Sequence, residues 1–207
     1  IRWLTCMMFL MFAMTSDAVG SVIPKIIEEF RLSMKAAGAF HYVPMAAIAV
    51  GALGLGFLAD RLGRKATIVL GLLCYGTGSL LFAFGNSFGF FVVLLAISGL
   101  GVSIFKIGAL ALIGDISRSS REHTATMNLV EGFFGIGAII GPAIVAILIT
   151  AGMSWKYLYV IAAVMCGVLI TIALVVRYPE SQHAGAEPVS FAQTLRMMQD
   201  PHALGFS

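Results

Sequence analysis

Three ionisable residues, Asp17, Lys106 and Glu131, stand inside long apolar runs, where a charge is costly and therefore marks a candidate site. A lone carboxyl such as Asp17 suits proton uptake and release, and a lysine suits an anion. Asn128 stands three residues before Glu131, so on a helix the two share a face. His41 and Tyr42 open another apolar run and could reach a central cavity. A second group, Asp60, Arg61, Arg64 and Lys65, is too densely charged for hydrocarbon and marks a tight turn in water. No nucleotide-binding loop, nucleophile triad or metal-ligand cluster accompanies them, so transport rather than catalysis is expected. The expected coupling ion is a proton or sodium, with no cofactor.

These residues need membrane helices to position them. The chain has 207 residues, 59% hydrophobic and 11% charged, against about 25% charged in soluble domains. Its charges cluster between apolar runs of roughly 20 residues, the length that crosses a bilayer as a helix. The formal charge of +3 carries no basic-aromatic stripe and gives no support to a nucleic-acid partner. Cys6, Cys74 and Cys166 lie singly in apolar runs without metal or redox spacing. The first run holds Asp17 and lacks a small-residue cleavage site, so it does not read as a signal peptide. The start at Ile1 is expected to reflect trimming.

Six spanning helices are expected, over 2–23, 36–59, 66–86, 89–114, 123–150 and 155–176. Eight basic residues then fall on one side (Arg2, Arg61, Arg64, Lys65, Arg118, Arg121, Arg177, Arg196) and four on the other (Lys25, Arg31, Lys35, Lys156). That bias places both ends in the cytoplasm of an integral, multi-pass protein, expected in a bacterial inner membrane. The stretch from Lys25 to Ser33 is amphipathic and is expected to lie along the outer membrane surface. Residues 1–178 form the bundle. Residues 179–207 form a linker in which Ser190 caps a short amphipathic helix bearing Phe191, Leu195 and Met198.

Counting about 1.5 Å per residue along each helix puts Lys106 and Glu131 at similar depth in the inner half. Asp17 falls in the outer half. The first two form either an ion pair joining the fourth and fifth helices or part of a substrate or proton site. Asp17 has no basic partner at its depth, and a carboxyl without one takes up a proton readily in hydrocarbon.

The order Gly56, Leu58, Ala59, Asp60, Arg61, Gly63, Arg64, Lys65 resembles the signature loop between helices 2 and 3 of the major facilitator superfamily. The resemblance implies an all-α fold of six helices in two inverted three-helix repeats, half of a twelve-helix transporter. It also implies a C-terminal six-helix half as partner. Asp60 would hold a helix of that half in one conformation, with Arg61, Arg64 and Lys65 supporting it. Asp115, Arg118 and Arg121 would form the corresponding turn between helices 4 and 5.

The run holding Asn128, Glu131, Gly135 and Gly137 resembles helix 5 of the fucose–galactose–glucose proton symporters, a family with a protonatable acid in helix 1, where Asp17 stands. Lys106 departs from that family's mostly neutral helix 4 and admits an acidic sugar or other organic anion. Gly137, Gly141 and Pro142 resemble the helix 5 motif of proton-coupled drug antiporters, or form a packing face. Leu95 stands where those antiporters carry an arginine.

The expected function is secondary active transport of a small polar solute, a sugar or organic anion, by alternating access and coupled to protons. Substrate would meet Asn128, Glu131, Lys106 and His41, with Asp17 and Glu131 moving the proton. Alternatives are a drug exporter, or a non-transporting six-helix scaffold, receptor or channel.

Overall fold

Backbone N–H and C=O groups find no water in hydrocarbon, so each apolar run closes its own hydrogen bonds as a helix. A computed structural model of the chain describes residues 1–179. Six helices there are long and apolar enough to cross a membrane: α1 Arg2–Phe30, α2 Met34–Leu55, α3 Arg64–Phe84, α4 Phe88–Ile116, α5 Ser120–Thr150 and α6 Tyr157–Val175. The linker helix expected around Ser190 lies outside the described residues.

Serine hydroxyls start three of them. Ser33, Ser87 and Ser119 accept from the backbone N–H of Ala36, Phe90 and Glu122 at 3.2, 3.3 and 3.2 Å. Glu122 also accepts from the Arg118 N–H at 2.9 Å, so α5 begins three residues earlier than its apolar run.

The stretch from Lys25 to Ser33 is not a surface segment. The helix Val19–Phe30 runs on through Pro24, burying Val19, Val22 and Ile26 at helical spacing. It ends at Arg31, in the left-handed conformation with φ 51°. A break separates it from Arg2–Ser16, and Asp17 sits in that break.

The packing repeats itself. α1 lies against α5 and α4 against α2; α3 packs on α4 and α6 on α1; α3 and α6 meet each other. Exchanging the first three helices for the last three leaves this pattern unchanged. Three chain reversals separate α1 from α4, so they run antiparallel and the two repeats are inverted.

Glycines set the closest approaches. A Cβ on Gly137 or Gly141 of α5 would run into the α1 backbone at Leu10 or Met14. A Cβ on Gly99 of α4 would meet the Pro44 carbonyl of α2 at 2.6 Å. Gly51 packs on Ser103, whereas Gly54 faces open space, so the α2 glycines do not form one continuous interface.

Replacing Gly141 with Val is expected to destabilise the bundle by about 3 kcal/mol or more, because backbone rather than a flexible side chain blocks the new methyl groups. Gly167→Val on α6, where nothing lies within 4 Å, is the control. Thermal unfolding in detergent should show a large loss for the first and a minor one for the second.

Candidate functional site

A pocket of about 260 Å³ opens between α1, α2, α4 and α5. Its lining along α4 runs from Leu95 to Lys106, about 16 Å at 1.5 Å per residue. Phe12 and Phe134 lie at the Lys106 end, and Phe40, His41 and Tyr159 toward the other. The Phe12 ring is wedged against Tyr75 and Phe105, with centroids 4.6 and 4.5 Å away. Thr15 gives its one proton to the Phe12 carbonyl at 3.0 Å. The hydroxyls of Tyr75 and Thr15 also bond each other, so Tyr75 donates there. The back wall is aromatic; the Thr15 and Tyr75 hydroxyls are committed to each other, whereas the buried Ser98 hydroxyl on α4 has no hydrogen-bond partner among the described residues.

Lys106 is half-buried, with its ammonium 5.5 Å from the centre of the Phe134 ring. No carboxylate lies within ion-pair distance of it among the described residues. The expected Lys106–Glu131 pair does not form: Glu131 is exposed on α5 and does not line the pocket. Equal depth left the rotation about each helix axis open, and that rotation separates them.

Of the residues expected to meet substrate, Lys106 and His41 line the pocket. Asn128 and Glu131 share the exposed face of α5 with Gly132 and Gly135. Asp17 is exposed at the α1 break and accepts from the Ser16 hydroxyl at 3.1 Å, while Ser16 and Thr15 line the pocket beside it. Asp17 is therefore adjacent to the pocket but outside it.

The Asp60 turn is built around Arg64. Its guanidinium reaches Asp115 at 2.8 Å, Asp60 at 2.9 Å and the Ala59 carbonyl at 2.8 Å. The side chains of Arg64 and Asp115 are 9% and 5% exposed, so this pair is buried, while Asp60 is 47% exposed. Gly63 has φ 81°, a conformation that favours glycine, and Thr67 donates to its carbonyl at 2.9 Å. Gly56 has an ordinary helical φ of −53° and needs no such freedom. Arg61 covers the Phe57 ring at 5.0 Å. Lys65 donates to the Leu174 carbonyl at 2.6 Å, closing the end of α6, and lies 5.7 Å from the Tyr178 ring. Burial pushes the Tyr178 phenol up from its ordinary value. Arg2, at the start of α1, pairs with Glu122, while Arg118 and Arg121 are exposed.

At the opposite end of the bundle stands a contact that sequence reasoning missed. Lys156 pairs with Glu29 at 3.1 Å, donates to the Gly85 carbonyl at 3.1 Å and lies 5.1 Å from the Phe91 ring. The Trp155 indole donates to Glu29 at 2.9 Å. Glu29 is the penultimate residue of α1, as Asp115 is of α4. Lys156 stands at the start of α6, as Arg64 does of α3. The exchange of repeats thus carries the Arg64–Asp115 clamp onto the Lys156–Glu29 clamp. One signal was readable: an acidic residue one position from the end of the first helix of each repeat.

A family model described as Major Facilitator Superfamily matches residues 5–204. The chain is 30% identical over 164 residues to the 4-hydroxybenzoate transporter PcaK of Pseudomonas putida, covering 79% of this chain and 36% of that protein. It is 32% identical over 89 residues to the quinolone resistance protein NorA of Staphylococcus aureus, covering 43% of this chain and 23% of that one. Among solved structures, the Escherichia coli fucose:proton symporter FucP superposes with a TM-score of 0.69 at 20% identity, over 97% of this chain and 56% of that chain. The chain thus spans about a third of the first of these proteins and about half of the last.

Asp115→Ala leaves the Arg64 charge buried without its best partner and is expected to cost about 3–5 kcal/mol. Glu29→Ala breaks a more exposed pair and should cost about 1 kcal/mol. Thermal unfolding of both variants in detergent checks the order. Replacing Arg64 with Met in the Asp115→Ala background should recover most of the loss.

Proposed function

Because the chain belongs to the major facilitator superfamily, we propose that it is the N-terminal six-helix half of a secondary active transporter for a small organic solute. Alternating access would open the pocket to one side of the membrane and then the other, with a C-terminal six-helix half closing its open side. The observation that carries this reading is the pocket itself. It lies between α1 and α4, the first helices of the two inverted repeats, where transporters of this architecture hold their solute. The exposed faces of α2 and α5, the two least buried of the six helices described, would supply the surface for the second half. The basic residues clustered at the Asp60 end assign that end to the cytoplasm.

Coupling to protons is assigned to Asp17. Its carboxylate borders the pocket at a break in α1 and, among the described residues, has only the Ser16 hydroxyl as a polar side-chain partner. Glu131, on the exposed face of α5, is the second candidate and would act across the boundary between halves. A drug-export reading draws on the similarity to NorA and on Gly137, Gly141 and Pro142. In this bundle those glycines pack α5 on α1, and Lys106 would repel a lipophilic cation entering the pocket. The reading as a proton-coupled symporter of a small solute is therefore preferred.

Full-length protein in proteoliposomes is expected to move protons when its solute is supplied. Asp17→Asn should abolish accumulation driven by a proton gradient while leaving solute exchange within about threefold of the original. Unchanged accumulation in that variant would remove Asp17 from the coupling step. A response to lipophilic cations alone would favour the exporter, and a dependence on sodium would replace the proton.

A further inference from the structure

We propose that the solute is an organic monoanion with one carboxylate and a flat or compact apolar body, the carboxylate meeting Lys106 and the body lying against Phe12 and Phe134. This assignment rests on the transporter reading above and concerns the same pocket.

Charge sets the first limit. Among the described residues, Lys106 is the only lysine or arginine lining the pocket, and no Asp or Glu lines it. An ammonium held in a low-dielectric cleft without a counter-ion attracts one negative charge strongly. A second charge on the same solute would enter an apolar cleft with no cation to meet it, which disfavours dicarboxylates and phosphate esters.

Hydrogen bonding sets the second limit. A sugar needs many directed partners, and the Thr15, Tyr75 and Ser16 hydroxyls of this wall are engaged. Thr15 is bonded to Phe12 and Tyr75, and Ser16 is turned to Asp17. The Ser98 hydroxyl is buried and has no hydrogen-bond partner among the described residues. That leaves Ser98, with Tyr159 and His41 toward the end away from Lys106, as few partners for the several hydroxyls of a sugar. What the pocket offers instead is aromatic surface, with Phe12 and Phe134 both in its lining and the Phe134 face beside the Lys106 ammonium. A volume of about 260 Å³ lies just under the range of roughly 300–1,000 Å³ for drug-sized ligands, which suits a one-ring solute.

The test is calorimetric binding of benzoate to the full-length protein in detergent, with cyclohexanecarboxylate, benzyl alcohol, phthalate and L-fucose alongside. Benzoate and cyclohexanecarboxylate are expected to bind and the other three to be silent. Lys106→Met should weaken benzoate binding about 10–100-fold, and Lys106→Arg should keep it within about tenfold. Phe134→Leu, which leaves the charge in place, should weaken benzoate more than cyclohexanecarboxylate and serves if the lysine variants do not fold. Binding of L-fucose without benzoate, or benzoate binding untouched by Lys106→Met, overturns the proposal. Counterflow of labelled benzoate in proteoliposomes separates the two readings. Binding without counterflow keeps the anion site and removes the transporter; counterflow of L-fucose with no benzoate binding does the reverse.

Discussion

Charge that must be held inside an apolar bundle is the constraint on which this structure depends. The Arg64 guanidinium, nearly excluded from solvent, is the clearest case, with Asp115 and Asp60 on two sides and a backbone carbonyl beside them. Desolvating such a group is tolerable only when its donors are matched. The match here joins the start of α3 to the end of α4, so the hairpin between those helices is tied at its open end as well as at its turn. Lys156 and Glu29 tie α6 to α1 in the corresponding way at the opposite end of the bundle. Each clamp joins the start of the third helix of one repeat to the end of the first helix of the other, and together they pin the C-terminal ends of α1 and α4 at opposite ends of the bundle.

Between the clamps, the helices are held by shape. Without a hydrophobic driving force between helices in lipid, close backbone contact carries the packing. Gly137 and Gly141 bring α5 onto α1, and Gly99 brings α4 onto the Pro44 turn of α2. These are the two contacts that the repeat exchange relates. With α1–α5 and α2–α4 locked as pairs, the space left between the pairs is the pocket. The same small residues that resemble an antiporter motif are thus, in this half, what separates the pocket walls.

Much of the architecture was legible because hydrocarbon permits few solutions. Apolar runs of about 20 residues give spans, and the charged turn at Asp60 names the family. What stayed hidden depended on a second coordinate. Depth along a helix follows from residue counting, so Lys106 and Glu131 came out level, but rotation did not, and they face different ways. Pro24 with Lys25, Glu28 and Glu29 read as the end of α1. The stripe Val19, Val22, Ile26 and Phe30 was the stronger signal, and it keeps the chain helical long enough to deliver Glu29 to Lys156. That pairing joins distant parts of the chain, and only the matching place of Glu29 and Asp115 in the two repeats hints at it.

The contrast between Lys106 and the clamp residues bears on function. Arg64 and Lys156 each have carboxylates and carbonyl oxygens around them, as a structural charge in this medium requires. Lys106 has a ring face. An ion–ring contact is weaker than a matched ion pair, so this ammonium is held in place without being neutralised. That difference is what the proposed anion site draws on: Arg64 and Lys156 are neutralised within the bundle, and Lys106 faces a cleft. The Asp17 carboxylate, at the break of α1 on the rim of the same cleft, then stands where a bound anion and a proton would sense each other's charge.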